Sequence, residues 1–311
     1  MPMSNTWNTD IFCHNETKIL NFLGKGADAS VYSAIYHDKK YAVKIYQLED
    51  WSSKQSLLDM IEEMINIHSY VSSNKQCVSL HGVSFSNNKN MEIYLYMDLI
   101  VSTGDLYDYL QNTMYWRSYR EKPDNMITVY NKENKLYWEH VPSKKQKEKI
   151  MYSSLLAIQE LHESQVIHGD IKSDNFILEN GKHHQTIKLI DFGVSEICKG
   201  KPVIHISQKR GTHGYMAPEQ YNNLICYASD IYSWGVTMIE VWVGDIWDSG
   251  DNFKVCRNEV LYGLRKIEKM YPELGKILRK CITLDFERRP SIEKIRNSLA
   301  MITDIKYLVR T

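Results

Sequence analysis

The densest run of chemically capable side chains is His168-Gly169-Asp170-Ile171-Lys172-Ser173-Asp174-Asn175, followed by Asp191-Phe192-Gly193 just after an apolar strand-like stretch. Moving a phosphoryl group asks a protein for little covalent chemistry; it asks for positioning and for neutralisation of charge. Asp170 has the chemistry to orient a hydroxyl and accept its proton. Lys172, two residues on, offsets charge on a transferring phosphoryl group. Asn175 and Asp191 supply hard oxygen ligands of the kind that suits Mg²⁺. An isolated Asp-Phe-Gly is common by chance, but the whole set in this order, with a β hairpin between its halves, is not.

Two upstream features fit the same chemistry. Gly24-Lys25-Gly26-Ala27-Asp28-Ala29-Ser30-Val31 lies between two strand-like stretches, and glycines let backbone N–H groups approach phosphates closely. Ala29 stands where a third glycine would complete G-x-G-x-x-G, so on its own the segment fits an ordinary hairpin turn equally well. A dinucleotide-binding loop fits less well, because a strand follows rather than a helix. Lys44 ends the apolar run Tyr41-Ala42-Val43-Lys44. Buried on the inner face of a sheet, it requires phosphate and carboxylate partners. Of the two adjacent carboxylates Glu62 and Glu63, Glu63 places Ile61, Met64, Ile67 and Tyr70 at neighbouring packing positions, and it is the expected partner.

These groups need a scaffold. Alternating and β-branched patterns predict strands near residues 19–23, 30–36, 41–46, 78–85 and 91–97. One helix interrupts them, with Leu57, Ile61, Met64, His68 and Val71 at three- and four-residue spacing. Beyond Asp105 the pattern turns helical, most clearly over 147–163, 228–243 and 291–301. A short β pair, Phe176–Leu178 with Ile187–Ile190, turns through Asn180-Gly181. Residues 111–143 are polar, irregular and aromatic, and read as an insertion.

Composition sets outer limits. The 311 residues carry 38 Lys+Arg against 38 Asp+Glu, which leaves no net field directed at nucleic acid or an anionic membrane. Six cysteines are scattered without metal-ligand spacing, pointing to a reducing compartment. The N-terminus lacks the pattern of a secretory signal, and the most apolar run, 234–247, is too short and polar to span a bilayer. A soluble, intracellular, cytoplasmic protein is expected.

Taken together, Gly-x-Gly, Ala42-Val43-Lys44, the His-x-Asp loop, Asp191-Phe192-Gly193, Gly211-Thr212, Ala217-Pro218-Glu219, Asp230-Ile231-Tyr232-Ser233-Trp234-Gly235 and Arg288-Arg289-Pro290 resemble the eukaryotic-type protein kinase family in order and rough spacing. The resemblance implies an α+β, bilobal fold: a small five-stranded N-lobe with one main helix and a larger, mostly helical C-lobe. It implies a kinase domain over 17–301, preceded by an N-terminal extension (1–16) and followed by a tail (302–311). The N-lobe would cover about 17–97, the hinge 98–104 and the C-lobe 105–301. Carried over by position, Met97 resembles the gatekeeper, and the backbone of Asp98 and Ile100 would meet adenine. Leu23, Val31, Ala42 and Ile177 would sandwich the base, with Asp105 at the ribose and residues 23–31 over the phosphates of ATP. An Arg289–Glu219 ion pair is implied, and Asp230 would support the catalytic loop from below. Gly193 and Thr212 belong to the activation segment, with Thr212 shaping the substrate-binding loop.

Asp170-x-Lys172 and Gly211-Thr212 resemble the serine/threonine branch, with protein hydroxyls as substrates. Gly169 stands where many members place the arginine that reads a phosphorylated activation loop. The resemblance therefore implies a constitutive or partner-controlled enzyme, with Ser195, Ser207 and Thr212 as candidate modification sites. Two alternatives stay open. One is a pseudokinase scaffold, with 111–143 as a docking surface for a partner; the other is a small-molecule kinase, whose members share His-Gly-Asp.

Overall fold

In the computed structural model, the alternating residues of the first hundred positions build one twisted sheet. The structure describes residues 9–26, 29–50, 52–86, 91–100, 102–114, 126–130, 136–140, 142–180, 185–207, 209–244, 246 and 253–303. The sheet comprises β1 (Asp10–Ile11), β2 (Lys18–Lys25), β3 (Ser30–Tyr36), β4 (Lys39–Gln47), β5 (Leu80–Ser86) and β6 (Glu92–Asp98). Their spatial order is β1-β5-β6-β4-β3-β2. Helix α1 (Lys54–Val71), capped by the Ser53 side chain, crosses one face. Side-chain alternation then divides β4 between two clusters. Tyr46 packs with Leu57, Ile61, Met64 and Ile65 of α1. Tyr41 and Val43 pack with Ala34, Tyr94 and Tyr96 on the far face.

Five strands are expected from the sequence, and the sixth comes from the segment before residue 17. β1 pairs in parallel with β5, Asp10 opposite Gly82 and Ile11 opposite Val83. The cause is aromatic: Phe12 stacks on Tyr36 at 4.3 Å between centroids and sits over Gly82. A Cβ at Gly82 would come within 2.6 Å of the Phe12 ring, so glycine is what lets the ring dock.

Beyond the sheet, β7 (Ser102–Asp105) leads into α2 (Leu106–Met114), and a hairpin of β8 (Met126–Tyr130) and β9 (Leu136–His140) follows. The expected insertion is thus not irregular throughout; its residues 115–125, 131–135 and 141 lie outside those described. Gly181 of the expected turn and residues 304–311 of the expected tail lie outside them too. The helical half contains α3 (Lys144–Glu163), α4 (Tyr227–Val243), α5 (Phe253–Met270), α6 (Pro272–Cys281) and α7 (Ile292–Ile302). Short strands thread between them: β10 (Val166–Ile167), β11 (Phe176–Asn180), β12 (Gln185–Leu189), β13 (Glu196–Ile197), β14 (Ile204–His205) and β15 (Leu224–Ile225). α4 is buried on every side from Ser229 to Trp242, as the central helix of a core must be. Its Trp234 indole N–H donates to the Ser154 hydroxyl at 2.9 Å, satisfying a buried donor. Among the described residues no helix is long and apolar enough to cross a membrane, and all six cysteines are free thiols.

Candidate active site

The site forms where the sheet meets the helical half. β10 delivers the chain into His168-Gly169-Asp170, and this loop is fixed from beneath by one buried carboxylate. Asp230, in the first turn of α4, accepts the His168 amide at 2.9 Å and the Gly169 amide at 2.9 Å. The His162 ring bonds the same carboxylate at 2.8 Å. Gly169 adopts φ +79°, a left-handed conformation that disfavours any side chain. A Cβ there would also meet Ile225 Cδ1 at 2.8 Å.

Held this way, Asp170 carries its carboxylate among several donors. Oδ1 accepts the Thr212 amide at 2.7 Å, and Lys172 Nζ stands 3.8 Å from Oδ2. Asn175 Nδ2 donates to the Asp170 carbonyl at 2.7 Å and to Oδ2 at 3.3 Å. That commitment fixes the amide orientation and leaves Asn175 Oδ1 as its donor atom for a cation. The His168 ring is fixed by both nitrogens. Nε2–H donates to the Ile190 carbonyl at 3.0 Å, and Nδ1 accepts the Asp170 amide at 3.2 Å, which selects one tautomer.

From the sheet, Lys44 reaches Asp191, Nζ to Oδ1 at 2.8 Å. Burial pushes the lysine pKa down, but the adjacent Asp191 carboxylate outweighs it and the net shift is upward. Asp191 responds in kind: burial would raise it, and Lys44 holds it below the usual carboxylate range. Asp191 itself sits at φ +62°, a conformation of stored strain for a residue with a Cβ. Phe192 is driven into the core between the rings of His68, at 5.1 Å, and His168, at 5.5 Å.

Glu63 does not join them. The face of α1 turned inward carries Leu57, Ile61, Met64, Ile65, Ile67, His68 and Val71; at 100° per residue this phase turns Glu62 and Glu63 outward, and both are exposed. Lys44 takes its carboxylate from Asp191 instead, so the expected Lys44–Glu63 pair is not formed. Ser195 is buried, its hydroxyl donating to the His168 carbonyl at 3.0 Å, which removes it as an accessible modification site.

The expected nucleotide wall is laid out by register. Gly24 lies opposite Val31, and Val31 opposite Lys44. Ala42 lies opposite Met97, and Ile177 of β11 opposite Asp105. Leu23, Lys25, Gly26, Ala29 and Ser30 continue the rim, while Ala27 and Asp28 lie outside the described residues. The Asp98 amide donates to the Ser79 carbonyl at 3.1 Å, so Asp98 can present only its carbonyl to a ligand; Ile100 follows two residues on. The Asp98 carboxylate is held low despite burial by hydrogen bonds from His81 and the Ser79 amide. Burial, reinforced by Asp108 and Asp174, pushes the Asp105 carboxyl up to about 6.

Within the helical half, Arg289 grips Glu219 with both terminal nitrogens, at 2.6 and 2.8 Å. Gly193 donates its amide to Asp191 Oδ1 at 3.4 Å. Sequence reasoning missed the Tyr46–Met64 contact beside Lys44, His68 against Phe192, and the Thr212 amide on Asp170. The first had a signal, since Tyr46 lies two residues beyond Lys44 on the same strand and must share its face. The Thr212 contact bridges residues 42 apart and has no local signature.

A family model described as a protein kinase domain matches residues 17–299. The chain belongs to the protein kinase family. Wall-associated receptor kinase 5 of Arabidopsis thaliana is 27% identical over 235 residues, covering 75% of this chain and 27% of that protein. "Probable serine/threonine-protein kinase PBL6" of the same plant is 24% identical over 311 residues, covering 92% and 66%. "Probable serine/threonine-protein kinase fnkE" of Dictyostelium discoideum is 26% identical over 315 residues, covering 96% and 20%. The chain spans between 20% and 66% of the length of these relatives.

Proposed function

We propose that this protein kinase transfers the γ-phosphoryl group of ATP to serine and threonine hydroxyls of protein substrates, with Asp170 as the catalytic base. The observation that carries this is the Asp170 carboxylate itself. It is oriented by the Thr212 amide and Asn175, has Lys172 at 3.8 Å, and stands on a loop pinned by Asp230. A substrate hydroxyl brought to Asp170 would lose its proton to the carboxylate as its oxygen attacks phosphorus. Lys172 would offset charge on the phosphoryl oxygens, and Lys44 would hold the remaining phosphates. The donor set of Asn175 Oδ1 and Asp191 fits a hard divalent cation, and among the described residues no cluster of His, Cys, Asp and Glu competes for one. Mg²⁺ suits it, because that ion keeps waters and phosphate oxygens for its other positions and neutralises phosphate charge when bound. The same reading takes 17–301 as the catalytic unit, with adenine against Met97, Asp98 and Ile100.

The reading extends to regulation. Beneath Gly169 lie Ile167, Cys198, Ile206 and Ile225, an apolar cluster, and β14 is laddered to β15. Gly169 itself brings no side chain to meet a phosphate, which favours an activation segment held by packing.

Incubation with Mg-ATP and a basic protein should transfer label to Ser and Thr, and Asp170→Asn should lower the rate about 10²- to 10⁴-fold. Undiminished transfer by that variant would overturn the role of Asp170. One observation favours a second reading, a pseudokinase scaffold: Lys44 lacks a carboxylate from α1. That reading predicts no transfer by the wild type, and gains most if Mg-ATP leaves the melting temperature unchanged.

A further inference from the structure

The outward phase of Glu63 leaves a question about Lys44: what fills the place on α1 that faces it. Phe192 packs against His68 at 5.1 Å, which identifies the inward line of the helix. One turn back along that line is Met64, 3% exposed and in one cluster with Tyr46 of β4, so the side chain that α1 turns to this part of β4 has no charge. Met64 touches Tyr46, whose hydroxyl donates to Met64 Sδ at 3.8 Å. Tyr46 and Lys44 are two apart on β4 and so share the face turned to α1. Lys44 Nζ lies 5.5 Å from the Tyr46 ring centroid. With the phenolic proton directed to the sulfur, a lone pair of the oxygen can accept from an ammonium on the same face.

We propose that Tyr46 is a positioning residue for Lys44, its phenolic oxygen serving with Asp191 in the place where α1 offers Met64 instead of a carboxylate. A neutral acceptor on a buried, 2% exposed side chain aims the ammonium without competing with phosphate for its charge, whereas a carboxylate would neutralise part of it. This deepens the phosphoryl-transfer reading and rests on it.

The test uses the full chain and three variants: Tyr46→Phe, Met64→Glu and the double variant. Tyr46→Phe removes one oxygen and keeps the ring, and should lower kcat/KM for ATP about tenfold, mostly through KM, with an unchanged melting temperature. Adding Met64→Glu in the Tyr46→Phe background supplies a carboxylate at the same place and should restore most of the loss. A Tyr46 that only packs would not be rescued by a neighbouring charge. A Tyr46→Phe enzyme within about twofold of wild type overturns the proposal, as does a loss that Met64→Glu does not restore. If the wild type transfers no phosphate, the phosphoryl-transfer reading falls by itself, and calorimetric affinity for ATP takes over as the readout. About tenfold weaker binding by Tyr46→Phe then supports the lysine-positioning role, and equal binding overturns it.

Discussion

Two ion pairs of this molecule, Lys44–Asp191 and Arg289–Glu219, are built in opposite ways. Arg289–Glu219 is dry: its side chains are 0% and 4% exposed. The guanidinium also donates to the Ala228, Thr283 and Leu284 carbonyls and lies 5.0 Å from the Tyr232 ring centroid. Glu219 accepts a further bond from Ser229. Every donor and acceptor that burial stripped of water has been given a partner. Lys44–Asp191 has one contact of 2.8 Å between side chains 14% and 42% exposed. The first pair is part of the architecture of the helical half. The second sits open to the cleft, and its strength is available for redirection to a ligand.

The largest expected effect follows from the dry pair. Arg289→Ala would leave the Glu219 carboxylate buried beside Ser229 with its main counter-charge gone, and should destabilise the fold by about 3–5 kcal/mol. Equilibrium denaturation of wild type and variant measures it. A loss under about 1 kcal/mol would mean water enters the site, and the contrast between the two pairs would collapse. Arg289→Lys should recover little, because one ammonium cannot replace a planar fork that bonds two oxygens and three carbonyls.

How far this contrast is legible in the sequence depends on range. The strands and main helices follow from local periodicity, and α1 shows why: Leu57, Ile61, Met64, His68 and Val71 mark its inner face by their spacing alone. The same periodicity, weighed fully, turns Glu63 outward. A choice between two adjacent glutamates by their packing neighbours omits the third option, that neither faces Lys44. β1 is illegible because two residues carry no period; its placement depends on Phe12 meeting Gly82, a contact far beyond the reach of any local pattern. The motif residues around Asp170 are legible as a set, while the Thr212 amide that orients Asp170 is not, because backbone donors leave no trace in residue types.

His68 gives the contrast a pH signature. It lies on the inward line of α1 against Phe192, its Nδ1 buried without a hydrogen-bond partner. Burial, reinforced by the charge on Lys44, pushes its pKa down to about 4, against roughly 6.5 in an unfolded chain. Between those values the unfolded chain takes up a proton that the folded one refuses. Stability is therefore complete above about pH 6.5 and falls, by on the order of 3 kcal/mol, as pH drops toward 4. Asp105 works in the opposite direction, since its folded pKa of about 6 lies above its unfolded value. The informative quantity is the difference between wild type and His68→Leu, measured by denaturation at about pH 7 and about pH 4.5. Parallel pH profiles would show that the His68 ring reaches water.

The smallest effect is expected at the open pair. Lys44→Met removes a charge that is only partly buried and leaves Asp191 with 42% of its side chain in solvent. Exposed pairs contribute about 0–1 kcal/mol, and the methionine recovers the packing of the lysine stem. Unfolding free energy should change by less than about 1 kcal/mol, with calorimetric affinity for Mg-ATP weakened at least about tenfold in the same sample. A variant that loses several kcal/mol would place Lys44–Asp191 in the same class as Arg289–Glu219. The lysine would then be a strut of the fold, and its interaction with Asp191 too strong for a phosphate to redirect.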